Sequence, residues 1–251
     1  MKYDEYFVGF FPVPPRLRVF LVVVSVALIG AFAALSLAAG ATQDDPGEGN
    51  FRFDFGRQTV TGVLEVTPLP LLRITEGNER LPAGHTLMLA AGGKGSLEGR
   101  AAPLAGKLVT VSGVILQRGE LDMLQVRGGR GGLGPAEGEA PAIAAAEPLG
   151  RWRLAGEICD GKCLAGAMRP GRRLAHKACA NLCVIGGLPP VFVSTQPVEG
   201  SEFLLIAGPD GGPMPDALLD HMAAFVRLEG DIERRGDLLI LKVDPETVET
   251  L

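Results

Sequence analysis

The chain has 251 residues, 47% of them apolar, 21% charged and 6% aromatic, with a formal net charge of −5. That length holds one or two domains with appendages, and that apolar share supports a core, which excludes a wholly disordered chain. The 35 glycines lack a G-X-Y period, so collagen is excluded and a turn-rich β protein is indicated.

The first predicted element is a membrane span. Val19 to Gln43 is a run of 25 uncharged residues. As a helix rising ~1.5 Å per residue, about 20 of them cross a ~30 Å hydrocarbon core. We place the helix over 19–41, after a cytoplasmic segment 1–18. Lys2, Arg16 and Arg18 precede it and Asp44, Asp45 and Glu48 follow. That asymmetry predicts a single-pass bacterial inner-membrane protein, N-terminus inside and bulk in the periplasm. Tyr3, Tyr6, Phe7, Phe10 and Phe11 suit a headgroup-level anchor, and Pro12, Pro14 and Pro15 an extended entry to the helix. Ala39-Gly40-Ala41 also matches a signal-peptidase site, so a cleaved leader competes with the anchor. Either way the rest of the chain is exported.

After a linker over 42–55, two stretches of β-type alternation match at a constant offset of 117. Val109, Gly113, Ile115, Arg118, Gly119, Leu121, Leu124 and Val126 fall on Val226, Gly230, Ile232, Arg235, Gly236, Leu238, Leu241 and Val243. Each stretch reads as a hairpin about an Arg-Gly turn. Upstream, Leu87–Gly92 matches Phe203–Gly208, and Thr61-Gly62-Val63-Leu64 resembles Ala155-Gly156-Glu157-Ile158. A first strand with an internal glycine, a second strand, a connection and a hairpin resembles a Greek-key barrel of the OB type. The segment Gly156-Glu157-Ile158-Cys159-Asp160 with Lys162-Cys163 is similar to exported bacterial OB-fold-like proteins; the resemblance implies a fold and no activity. The expected fold is therefore mainly β: an N-terminal transmembrane helix, then tandem OB-like modules over 56–127 and 151–251. A Gly/Pro/Ala linker over 128–150 joins them. Pro215–Phe225 predicts a short helix with Asp216 as N-cap.

Module two has about 22 extra residues between its first and second strands, by the offsets, and all four cysteines lie there. The insertion spans 159–190. Arg172–Ile185 is helix-forming and stops at Gly186-Gly187, placing His176, Cys179 and Cys183 at i, i+3 and i+7 on one face. Cys159 and Cys163 lie upstream, across a Met168-Arg169-Pro170-Gly171 turn.

Three chemistries compete for these residues. Export favours two disulfides, nested as Cys159–Cys183 and Cys163–Cys179. A metal ion or iron–sulfur cluster would use Cys163, His176, Cys179 and Cys183, with Cys159 a fifth candidate and Met168 a distant sixth. A reactive thiol would use Cys163, with Lys162 and His176 lowering its pKa.

Residues 151–190 hold seven basic and two acidic residues. Lys162, Arg169, Arg172, Arg173 and Lys177 form the expected basic, partner-binding face.

No catalytic motif is present. Gly92-Gly93-Lys94-Gly95-Ser96 lacks phosphate-loop spacing and reads as a turn. His85 and His221 stand apart and read as surface residues. With one Trp, and with acidic modules outside the insertion, nucleic-acid binding is excluded.

The function these features predict is a periplasmic accessory protein with a Cys/His metal or redox centre, an electron-transfer subunit beside a membrane redox complex. The alternative is a disulfide-stapled adaptor that binds another exported protein by edge-strand addition.

Overall fold

A computed structural model describes residues 13–41, 47–129 and 131–251. The chain divides into two compact units, Met1–Asp45 and Pro46–Leu251. In the first, helix α1 spans Pro15–Ala41. It starts four residues ahead of the apolar run because Pro15 suits a first helical turn, which leaves its own N–H positions unpaired. Beyond Arg16 and Arg18 in its first turn the helix is apolar on every side, and its 27 residues rise ~40 Å, long enough to cross a membrane. The aromatic residues 3–11, Pro12 and the acidic pair Asp44 and Asp45 lie outside the described residues.

The second unit is almost all β. Its first half comprises β1 (Asn50–Phe51), β2 (Gln58–Glu65), β3 (Leu71–Glu76), β4 (Thr86–Ala90), a one-turn helix α2 (Glu98–Ala101), β5 (Leu108–Arg118), β6 (Leu121–Val126) and β7 (Leu133–Pro135). Strand β2 pairs with β3, β3 with β4 and β4, in parallel, with β6. Strand β6 pairs with β5, and β5 with β2. Strands β1 and β7 add to β5.

The second half comprises β8 (Glu147–Asp160), helix α3 (Lys177–Ile185), β9 (Pro190–Val198), β10 (Ser201–Ala207), β11 (Phe225–Arg235) and β12 (Leu238–Thr250). These five strands close a barrel in the order β10-β12-β11-β8-β9, with the β10–β12 pair parallel.

Both hairpins form as read, each about a two-residue turn. Arg118 pairs with Leu121 and Arg235 with Leu238. The turn glycines, Gly119 and Gly236, have φ of 54° and 65°, the left-handed region that a type II′ hairpin requires at its first central position. The first-strand glycines also behave as expected. A Cβ on Gly62 would lie 2.3 Å from the Arg73 carbonyl oxygen, and one on Gly156 2.1 Å from that of Val193. Only glycine lets the neighbouring strand cross so closely.

Two expectations need correction. Pro215 stands ahead of the short helix, a 3₁₀ segment over Asp216–His221, so Asp216 is its first residue and makes no capping bond. The third strands align one residue away from the sequence match. Met88 pairs with Met123 as Leu205 pairs with Ile240, so Met88 corresponds to Leu205 and not to Leu204.

The reason lies in the core. Leu87 and Leu89 pack inside the first sheet and Leu204 and Ile206 inside the barrel. Met88, Met123, Leu205 and Ile240 belong to a third cluster between the halves. Strands β4 and β10 are thus covered on both faces, so apolar residues run continuously and alternation cannot fix the register. Burying each such side chain contributes ~1.5–3 kcal/mol, which fastens the halves together.

A polar clasp reinforces this seam, and it contains a histidine that the sequence suggested was isolated. His85 contacts Asp122 at 3.1 Å and Asp237 at 2.5 Å, while Asp237 also accepts a 2.8 Å bond from the Thr86 N–H. Burial opposes a charge on His85, but the two carboxylates outweigh it and push its pKa from 6.5 up to about 10. The charged clasp therefore contributes fully below pH 6.5, and its contribution fades as pH rises towards about 10. Urea midpoints measured across this window are expected to fall, and to fall less in His85→Gln. Equal slopes in the two proteins would remove the clasp from the account.

Candidate metal centre

Strand β8 runs past the barrel and ends at Asp160, where the insertion begins. Gly156 pairs with Ser194, whereas its counterpart Gly62 pairs with Ile74, so the second half's loop is longer by about 26 residues. A π-helical turn over Cys163–Ala167 follows, bent at Gly166 (φ 134°). The chain returns through Arg173, whose φ of 68° is incompatible with a helix. The predicted helix therefore starts at Leu174, as a 3₁₀ turn over Leu174–His176 that leads into α3. The helix stops at Gly186-Gly187 as read, but these glycines do more than end it. A Cβ on Gly186 would lie 1.9 Å from the Lys94 carbonyl oxygen, and one on Gly187 2.7 Å from the Ser96 side chain. The Gly92–Ser96 turn of the first half thus packs directly on the insertion.

This arrangement gathers three of the four thiols. The Sγ atoms of Cys163, Cys179 and Cys183 all lie within 4.8 Å of one another, and Cys163 and Cys183 are 3.9 Å apart. Cys179 and Cys183 share a face of α3, as the i, i+4 spacing predicts. Cys163 and Cys183 are buried and Cys179 is half-buried.

Cys159 does not join them. It points from β8 towards Glu157, to which its thiol donates a 3.3 Å bond. Asp160, the next residue and so on the opposite face of the strand, turns to the site instead. The nested disulfides are not formed, since all four cysteines are free; the pair Cys163 and Cys183, 3.9 Å apart, is not bonded either, an S–S bond being ~2.05 Å. A four-thiolate iron–sulfur cluster likewise lacks its fourth cysteine.

His176 takes a different place from the one expected. Because it sits in the 3₁₀ turn ahead of α3, its Nε2 meets Asp160 Oδ2 at 2.8 Å, and it groups with Asp160 and Cys163. Asp160 is wholly buried, and its other oxygen accepts a 2.8 Å bond from the Cys163 N–H. One carboxylate therefore fixes both the histidine ring and the backbone of a thiol.

Burial, aided by Asp160, raises the Cys163 thiol pKa well above its usual value. Burial and Asp160 likewise push Cys183 up to about 11, and burial with Glu157 raises Cys159. These three are poor nucleophiles at neutral pH, the reverse of the reactive-thiol expectation. A cation bound among them would reverse the balance, because metal ligation deprotonates thiols outright.

Lys162 does not activate Cys163. It is 4% exposed, and its Nζ donates to the carbonyl oxygens of Ala91 (2.6 Å) and Gly93 (2.8 Å). It therefore leaves the expected basic face and ties the glycine-rich turn to the insertion. On that face, Arg169 pairs with Glu48 at 2.7 Å, Arg172 lies 3.5 Å from Glu157, and Lys177 donates to the Asp220 carbonyl. Arg173 is exposed.

Two further residues, one given no role by sequence reasoning and one ranked last, complete the surroundings. Lys94 Nζ lies 3.1 Å from Cys179 Sγ, although the two are 85 positions apart. Its only signal was membership of the glycine-rich turn, which gave no hint of a partner. Met168, ranked last, brings its Sδ to 3.6 Å from Cys179 Sγ. Compared with protein-family models, curated proteins and solved structures, the chain matches none.

Proposed function

We propose that this chain is a membrane-anchored accessory protein that holds a thiophilic metal ion through Cys163, Cys179 and Cys183. The single observation that carries the reading is the spacing of the three sulfurs. At 3.9 Å, Cys163 and Cys183 are too far apart for a disulfide but suitably placed to share an ion with metal–sulfur bonds of ~2.3 Å. Asp160 and His176 brace the set from behind, the usual task of groups around a metal's own ligands.

The two halves are read as tandem OB-like modules. Supporting this, each pairs its first strand with its second and fourth, and its third, in parallel, with its fifth. Lys2 before α1, Arg16 and Arg18 in its first turn and the acidic residues after it support a periplasmic location. A membrane redox complex would reach the ion where Cys179 and Met168 open to solvent, beside the exposed Leu182 and Ile185 of α3.

The test is elemental analysis of the full chain, purified in detergent without chelator. About one ion per chain is expected, lost in Cys179→Ser and retained in Cys159→Ser. Metal-free protein that takes up no ion when reduced and reloaded would end this reading.

A further inference from the structure

The metal reading leaves the ion itself open, and this inference rests on that reading. Around the three thiols, the next donor at Cys179 is another sulfur, Met168 Sδ, at 3.6 Å. The nitrogen and oxygen groups nearby do not join the three thiols. Asp160 and His176, 2.8 Å apart, group with Cys163 but not with all three thiols together, and Lys94 Nζ, 3.1 Å from Cys179, is an ammonium with no lone pair to offer.

This donor set discriminates among ions. Magnesium and calcium require oxygen ligands. Zinc prefers a closed tetrahedron of thiolate, imidazole or carboxylate, and a thioether is not among its usual donors. Thiolate with thioether is the set that selects monovalent copper.

Charge points the same way. Three thiolates around a monovalent ion carry a net charge of −2, which needs flanking cations more than the divalent complex does. Lys94 lies against Cys179, and Lys162 is buried beside Cys163 and held by two carbonyl oxygens.

We propose that Cys163, Cys179 and Cys183 bind one Cu(I) ion, with Met168 as a fourth sulfur donor on the solvent side. Binding exchanges thiol protons for the ion and changes no oxidation state. The two buried thiols form the floor of the site. Half-buried Cys179 and Met168, 44% exposed, form the side through which the ion enters and leaves.

The experiment is an anaerobic competition titration of the full chain in detergent, with Cu(I) and Zn(II) each presented from a chromophoric chelator. One Cu(I) per chain is expected, bound more tightly than Zn(II). In Met168→Leu, a surface change the fold tolerates, Cu(I) affinity is expected to drop about tenfold with Zn(II) affinity unmoved. Tighter binding of Zn(II) overturns the copper assignment and a silent Met168→Leu overturns the fourth sulfur donor, and either leaves the thiol centre standing. No uptake of either ion overturns both.

Discussion

Replacing Asp160 by alanine is expected to destabilise the protein by about 3–5 kcal/mol, the usual cost of removing one partner from a buried pair. The carboxylate is wholly buried and meets His176 at 2.8 Å with one oxygen and the Cys163 N–H at 2.8 Å with the other. Its loss leaves a buried imidazole and a buried amide without their acceptor. Asp160→Asn keeps the shape and one acceptor oxygen, so a smaller loss of about 1–3 kcal/mol is expected. Urea unfolding of the two variants and of His176→Ala measures this. A double mutant cycle between Asp160 and His176 should show that the losses do not add. A loss below about 1 kcal/mol in Asp160→Ala would mean that the carboxylate does not hold the insertion together.

Gly156→Ala is expected to be comparably damaging, by more than about 3 kcal/mol, for a purely steric reason. The added methyl group would sit 2.1 Å from the Val193 carbonyl oxygen and 2.8 Å from the ring of Phe192, which is fully buried. Neither neighbour can retreat: one is strand backbone and the other lies in the barrel core. Gly99→Ala provides the contrast, since it meets nothing within 4 Å and lies in a helical turn, where alanine is the better residue. Thermal melts of the two variants should therefore move in opposite directions. A Gly156→Ala protein that melts with the parent would show that β8 and β9 separate more easily than their register suggests.

The parts of this fold that were legible in the sequence are those governed by local pattern. Alternation and the Arg-Gly turns gave both hairpins, because one buried face and one φ above zero leave a signature in a few adjacent residues. Gly62 and Gly156 were legible for a related reason, since an internal glycine in a strand marks a close approach. The Cys179–Cys183 pair followed from helical spacing alone.

The misses share a different cause. The third strands slipped by one residue because both faces of β4 and β10 are apolar, leaving nothing to distinguish Met88 from Leu87. His176 was assigned to the helix face, but the left-handed turn at Arg173 put it in the 3₁₀ segment instead. Cys159 and Asp160 exchanged roles because strand alternation continues to the end of β8. Lys94 could not be found at all, since its relation to Cys179 depends on how one half of the protein packs on the other.

The glycine-rich turn has a consequence for how this protein can be divided. The insertion belongs to the second half of the protein, yet its lysine neighbour comes from the first, and the first supplies the surface that Gly186 and Gly187 lie against. Producing the second half without the first would remove the charge beside the thiols and strip one wall from the half that carries them. The two halves are thus unlike and, at the thiol centre, mutually dependent.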